Sequence, residues 1–226
     1  MPLRIILVTA TSSEADTLKT IPGMQIISEG FFFGGNEIIP LVTGVGSVAT
    51  AWAMTKIFSS GLKADLAINI GIAGSFRDDL PIGEAVVPVS DCFADAGVET
   101  SIGFLTLGEA GLVDPDAFPF KSGRIFSDNR FVSRAVRLFR PVNAITVNTS
   151  SGLQNNIKLI SERYHPDIET MEGAAFFYVC SRENIPFLAI RAVSNRVEPR
   201  NREKWNIPLA IKNLSEKLGE LLLSFE

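Results

Sequence analysis

The sequence predicts an α/β layered domain, a central sheet between helices, and three observations carry that expectation. Apolar runs of strand length alternate with segments of helical period. Several of these runs are nearly unbroken Val, Ile, Leu and Ala, such as Leu66-Ala67-Ile68-Asn69-Ile70, which suits a strand covered on both faces. No Pro/Ser linker, charge block or internal repeat divides the 226 residues, so one domain is expected over the whole chain.

Arg4 to Val8 reads as the first strand. Ser13 to Thr20 reads as a helix that follows Ala10-Thr11-Ser12-Ser13 and carries Glu14 in a capping-box-like position. Ile38 to Val42 is a strand, and Val48 to Ser60 a helix stopped by Gly61. Strands follow at Leu66 to Ile70 and Glu84 to Val89. Asp91 to Ser127 mixes Gly, Pro, Asp and Phe without period, which predicts a hairpin excursion or a functional loop region. Asp128 to Phe139 is read as a helix punctuated by Pro141, Ala144 to Asn148 as a strand, and Leu153 to Tyr164 and Gly173 to Glu183 as helices. Phe187 to Val193 is a strand after Pro186. Asn201 to Phe225 is a helix whose Leu214, Leu218, Leu221 and Leu222 make an apolar stripe.

Composition narrows function. Lys+Arg 21 against Asp+Glu 25 gives a net charge of −4 and a pI of about 5.2, no footprint for nucleic acid or an anionic membrane surface. One histidine, His165, and two separated cysteines, Cys92 and Cys180, offer neither a disulfide framework nor a metal-binding spacing, so no metal or cofactor is expected. The N-terminus lacks the pattern of a signal peptide, and no apolar run reaches the ~18 residues of a membrane span, so a cytoplasmic protein is expected.

Four segments carry candidate chemistry. Gly44-Val45-Gly46-Ser47-Val48-Ala49 has the GxGxxA form of a dinucleotide turn, yet Asp65, the acid at the right spacing, opens the next strand and would point away from such a site. A tight strand-to-helix turn explains the glycines as well. Asn69-Ile70-Gly71-Ile72-Ala73-Gly74-Ser75 sits at a strand's carboxyl end, where open sheets bind ligands, and makes a candidate pocket wall. Glu169-Thr170-Met171-Glu172-Gly173-Ala174-Ala175 leads carboxylates into a helix; the helix dipole accounts for one acid, and the small residues after it fit a cavity as well as tight packing. Arg191-Ala192-Val193-Ser194-Asn195-Arg196 runs on to Arg200 and Arg202, and its arginines suit either surface pairs or an anionic ligand group.

Taken together, the early Glu14, the Thr43-Gly44-Val45-Gly46 turn, Gly71-Ile72-Ala73-Gly74, Met171-Glu172-Gly173-Ala174-Ala175 and Arg191-Ala192-Val193-Ser194-Asn195 resemble the purine nucleoside phosphorylase and methylthioadenosine nucleosidase superfamily over essentially the whole chain. The tail from Ser194 through Trp205 is most similar to the futalosine-cleaving branch of menaquinone biosynthesis. The resemblance implies a three-layer α/β/α domain with a mixed central sheet, a homo-oligomer (dimer or larger), and cleavage of a ribosyl C–N bond through an oxocarbenium-like transition state. It also implies that Glu14 activates water, that Glu172 binds the ribose hydroxyls, and that Met171 packs on the sugar. Ile72, Ala73, Gly74, Gly152 and Leu153 would line the nucleoside site, Arg196 and Arg200 would meet a substrate carboxylate, and Asn195 would read the base.

Two departures from the wider superfamily narrow the reaction. Adenine-specific relatives carry a proton-donating Asp where Asn195 stands; an amide cannot play that part, but its NH2 and C=O can pair with N7 and the 6-oxo edge of hypoxanthine. Phosphorylases carry an Arg near the equivalent of Asn69 and a hydroxyl near that of Ile72, and without that guanidinium a buried phosphate dianion is unfavourable. Hydrolysis of a hypoxanthine nucleoside is therefore expected, ahead of a phosphorylase for 6-oxopurine nucleosides, a nicotinamide-dependent oxidoreductase or a purine-binding module. The segment 147–153 lacks a stacking aromatic, which leaves Phe76, Phe93 or Phe104 to face the base.

Overall fold

Alternation along the first strand sets up the layers of this computed structural model, which describes residues 2–101 and 103–225. In β1 (Arg4–Thr9), Ile5 and Leu7 enter one apolar cluster, while Ile6 and Val8 enter another on the opposite face. The first cluster is closed by α3 (Arg130–Ala135) and by Leu214, Leu218, Leu221 and Leu222 of α6 (Ile207–Leu223). The second is closed by Met54 and Phe58 of α2 (Ser47–Ser59) and by Phe176 and Phe177 of α5 (Gly173–Arg182). Helices thus cover both faces of one mixed sheet, as expected.

The remaining strands are β2 (Gln25–Ile27), β3 (Gly30–Phe33), β4 (Asn36–Val42), β5 (Leu66–Ser75), β6 (Ala85–Asp91), β7 (Gly97–Thr100), β8 (Gly103–Thr106), β9 (Ile125–Phe126), β10 (Arg140–Thr146), β11 (Ile168–Thr170) and β12 (Phe187–Arg196). Their order in the main sheet is β11-β10-β6-β12-β5-β1-β4-β3-β2, with β9 on β6. β11 also pairs antiparallel with β5, Ile168 opposite Ser75 and Glu169 opposite Gly74, so five strands curl into a small barrel at one end of the sheet. That closure brings the carboxyl ends of β5, β11 and β12 together.

Several expected boundaries move. The strand expected to end at Ile70 does not stop there; β5 continues through Gly71 and Gly74 to Ser75, paired with β12. Its glycines mark close approach: a Cβ at Gly71 would stand 2.8 Å from Glu14 Oε1, and one at Gly74 2.9 Å from Val197 Cγ2. β10 begins at Arg140 and carries Pro141, then ends at Thr146, two residues before the expected end. The expected helix from Asp128 shortens to α3 because Asn129 caps it, accepting from the amides of Phe131 and Val132. The last helix starts at Ile207, since Asn206 accepts from Leu209 N, and a separate short turn spans Arg202–Lys204. Ser12–Ala15 forms α1 and passes into a 3-10 turn at Asp16–Thr20. Apart from residue 102, which lies outside the described residues, the 91–127 excursion contains the β7–β8 hairpin and β9. α4 (Gln154–Tyr164) completes the helices, and no helix among the described residues is long and apolar enough to cross a membrane.

Candidate active site

A cleft with a cavity volume of about 220 Å³ opens beyond the carboxyl ends of β5, β11 and β12. A water occupies ~30 Å³ of liquid, so the cleft has room for a ligand. Its acidic side chains are Glu14, Glu169 and Glu172, and no lysine or arginine lines it among the described residues.

Glu14 is fixed by the capping box that the sequence suggested. Thr11 is the N-cap of α1, and Glu14 Oε2 accepts from Ala10 N at 3.1 Å, Thr11 N at 2.9 Å and Thr11 Oγ1 at 2.9 Å. All of these bonds fall on one oxygen. Oε1 lies over Gly71, with the Arg191 guanidinium on the same side of that glycine. Capping and site geometry therefore coexist in one residue, which is only 8% exposed.

Glu172 sits at the N-cap position of α5 but makes no capping bond with its side chain. Its Oε1 instead accepts from Gly46 N at 2.9 Å, and Ser47 Oγ donates to Met171 O at 3.3 Å. Gly46 has φ +96, a conformation that favours glycine. The GxGxxA turn thus offers its amide to a carboxylate of this chain. Asp65 lies at the other end of β5, accepting from Arg4 N at 2.8 Å, so the pattern of a dinucleotide site is not assembled. Burial raises the Glu172 carboxyl above its ordinary value, against the Gly46 amide and Arg191, while Glu14 adds to the rise.

Arg191 is 2% exposed and donates to Asn69 O at 2.9 Å, to Ile190 O at 3.1 Å, and to Asn69 Oδ1. These three bonds go to neutral oxygens, and its charge acts at range on Glu172, Glu14 and Asp91. Asn69 Nδ2 in turn donates to Val8 O at 2.9 Å. The pair belongs to the floor beneath the acids.

A bulge in β12 between Val193 and Asn195 puts Asn195 opposite Gly74 and into the cleft. Ser194 Oγ donates to Asn195 Oδ1 at 2.8 Å, and Asn195 Nδ2 donates to Arg196 O at 2.8 Å. The amide orientation is therefore set, with one N–H and one lone pair left to offer.

The cleft brings together Glu14, Ile72, Ala73, Gly74, Met171, Glu172 and Asn195, and leaves four expected residues outside its lining. Leu153 starts α4 with its side chain 68% exposed, and Gly152 packs beside Arg200, whose Cβ would be 3.5 Å from an added Cβ. Ser150 and Ser151 line the cleft in their place. Arg196 turns back to donate to Asp78 O at 2.6 Å, and Arg200 lies 5.5 Å from the Trp205 ring centroid. The one aromatic among the described lining residues is Trp205, not Phe76, Phe93 or Phe104. Phe76 packs against the cluster of Cys92 and Val147, Phe93 bridges to Thr146, and Phe104 meets Arg163. Asn206 N donates to Ser194 O at 2.9 Å and ties the Trp205 segment to β12. Glu169 was also missed as a lining acid; it accepts from Ser151 N at 2.9 Å and Ser151 Oγ at 2.5 Å, and burial raises its carboxyl.

A mixed sheet closed at one end over an acidic cleft defines an α/β domain built to hold a small ligand. The family model described as Phosphorylase superfamily matches residues 4–225, and the chain belongs to that superfamily. Among curated relatives, it is 30% identical over 234 residues to futalosine hydrolase of Streptomyces coelicolor, covering 97% of this chain and 95% of the relative. It is 25% identical over 229 residues to 5'-methylthioadenosine/S-adenosylhomocysteine nucleosidase of Actinobacillus succinogenes, covering 90% and 88%. The solved structure of futalosine hydrolase from Helicobacter pylori strain 26695 shares the fold, with a TM-score of 0.76 at 15% identity over 98% of this chain and 96% of that one.

Proposed function

We propose that the protein is an N-glycosidase that hydrolyses the ribosidic bond of futalosine, releasing hypoxanthine, as a step of menaquinone biosynthesis. The observation that carries this reading is the cleft lining, with carboxylates of Glu14, Glu169 and Glu172 and no lysine or arginine among the described residues. Such a lining disfavours a phosphate dianion and favours positive charge developing on a ribosyl ring. Water then adds to the anomeric carbon as the C–N bond breaks, and the bonding electron pair leaves with hypoxanthine, which takes a proton from solvent at N7. Glu14 takes the proton of that water, Glu172 binds the ribose hydroxyls, and Met171 packs on the sugar. Trp205 offers the aromatic face in the cleft.

Asn195 supports the choice of base. Its free N–H suits the 6-oxo oxygen of hypoxanthine, and its carbonyl suits a proton on N7 of the departing base. The similarity to a methylthioadenosine nucleosidase makes an adenine nucleoside the competing substrate. Asn195→Asp tests the choice: the variant is expected to lose about 10²-fold or more in kcat/KM on futalosine, because a carboxylate faces the 6-oxo oxygen without a donor, and to gain on 5'-methylthioadenosine. Chromatography of the released base reads both. Undiminished futalosine cleavage by Asn195→Asp would contradict the assignment.

A further inference from the structure

Behind the wall that carries Glu172 lies a buried carboxylate that none of these roles uses. We propose that Asp91 is a positioning residue for the reaction: through the Thr146 hydroxyl it fixes the first turn of α5, and with it the Met171–Glu172 turn that faces the sugar. The proposal rests on the nucleosidase reading of the cleft.

The first amides of any helix need acceptors, and an N-cap side chain is the usual source. Here the N-cap residue is Glu172, and its carboxylate is engaged with Gly46 N on the cleft side. Another acceptor must hold the helix start. Ala174 N donates to Thr146 Oγ1 at 2.7 Å, and Gly173 N donates to Thr170 Oγ1 at 3.2 Å. A threonine hydroxyl has one proton: Thr146 gives its proton to Asp91 Oδ1 at 3.0 Å, which turns its lone pairs toward Ala174 N and leaves Thr170 Oγ1, 3.2 Å away, to donate to it. Cys92 N donates to the same Asp91 oxygen at 2.8 Å. Asp91 thus sets the orientation of the hydroxyl that caps the helix and frees Glu172 for the cleft.

The fit is close. Asp91 is 1% exposed, and its Oδ2 stands 2.1 Å from where a Cβ on residue 173 would be, so that position takes only glycine without displacement. Oδ2 itself has no hydrogen-bond partner. A buried carboxylate oxygen left unpaired is unfavourable and calls for a reason beyond packing. The charged groups acting on it are Arg124, whose donors go to Ser90 Oγ, Cys92 Sγ and Ala144 O, and Arg191 of β12. Cys92, pushed up to about 12 by burial, stays a neutral thiol beside it, and Glu172 and Glu169 are the acids of the adjoining turn and strand. Burial raises Asp91 to about 7, against Thr146, both arginines and the Cys92 amide, so its charge changes near neutral pH.

Thr146→Val, Thr146→Ser and Asp91→Asn test the link. Thr146→Val removes the hydroxyl at constant shape and is expected to lower kcat about 10- to 100-fold with KM little changed, since it loosens the geometry of the acid without removing it. Thr146→Ser restores the rate. Asp91→Asn keeps an acceptor oxygen but no charge to hold the Thr146 proton, and is expected to lower kcat/KM about 3- to 10-fold above neutral pH and to lose the inflection near neutral pH in its profile, an inflection that Thr146→Val moves to higher pH. Melting against pH supplies a substrate-free arm. The folded value of Asp91 lies above its unfolded value, so ionisation costs the parent stability increasingly as pH rises from about 4 to about 7, and Asp91→Asn gains on the parent over that window. Parental kcat in Thr146→Val, or a parental pH profile and melting slope in Asp91→Asn, would overturn the proposal. A parent that cleaves no nucleoside while Asp91→Asn still shows the altered melting slope would instead overturn the functional reading.

Discussion

Glu14→Gln is expected to reduce turnover by about 10²- to 10⁴-fold while the protein stays folded, the range that loss of a general base produces. The amide cannot take a proton from water. Its carbonyl can still accept from Ala10 N and Thr11 N in the place of Oε2, so most of the capping geometry survives, and the stability loss should stay within about 1–2 kcal/mol. Gly71→Ala reaches the same group from outside: its Cβ would stand 2.8 Å from Glu14 Oε1 and push the carboxylate off its position. A misplacement of that kind lowers turnover by about 10²-fold with every acid still present. Single-turnover rates together with melting curves separate these effects. A folded Glu14→Gln variant with parental rate would remove Glu14 from the mechanism.

Glu172→Gln is expected to lower kcat/KM by about 10²- to 10³-fold, comparable with removal of one preorganised group from a developing charge. The Gln carbonyl keeps an acceptor for Gly46 N, so the loss reports the missing negative charge beside the sugar. The pH profile gives the sign. Burial holds the Glu172 carboxyl above the ordinary glutamate range, so the acid limb of kcat/KM in the parent should lie above that range, with activity falling as pH drops and the carboxylate takes up a proton. Stability runs the other way. A carboxyl raised on folding loses stability as pH rises through its unfolded and then its folded value, so Glu172→Gln should gain on the parent from mildly acidic pH upward. Activity retained together with an unshifted acid limb would contradict the role.

Much of this arrangement was legible in the residues themselves. Strands such as Leu66 to Ile70 announce a sheet covered on both faces, and Leu214, Leu218, Leu221 and Leu222 announce the helix that covers one of them. The pattern fails where pairing is set at long range. β11 has three residues and exists because it bridges β10 and β5, and the extension of β5 through Gly71 and Gly74 reflects what those glycines make room for. Short polar loops are the second blind spot. The resemblance puts Gly152 and Leu153 in the cleft, but Leu153 stands exposed at the N-cap position of α4, and Ser150 and Ser151 line the cleft instead. Arginine identity alone misleads as well: Arg196 is held by Asp78 O, Arg200 stands by Trp205, and the arginine whose charge acts on Glu14 and Glu172 is Arg191, inside a strand. Trp205 was in view as part of the tail, and only the fold of residues 197–206 back onto β12 shows that it reaches the cleft.

On the proposed reading, water attacks a hypoxanthine nucleoside in a cleft unsuited to phosphate. Hypoxanthine release from futalosine by the purified protein, followed in phosphate-free buffer and again with added phosphate, beside inosine, aminodeoxyfutalosine and 5'-methylthioadenosine, tests it most directly. The expected result is release from futalosine at the same rate in both buffers, with the adenine nucleosides cleaved far more slowly. Release that requires phosphate, or that is faster from an adenine nucleoside, would contradict it.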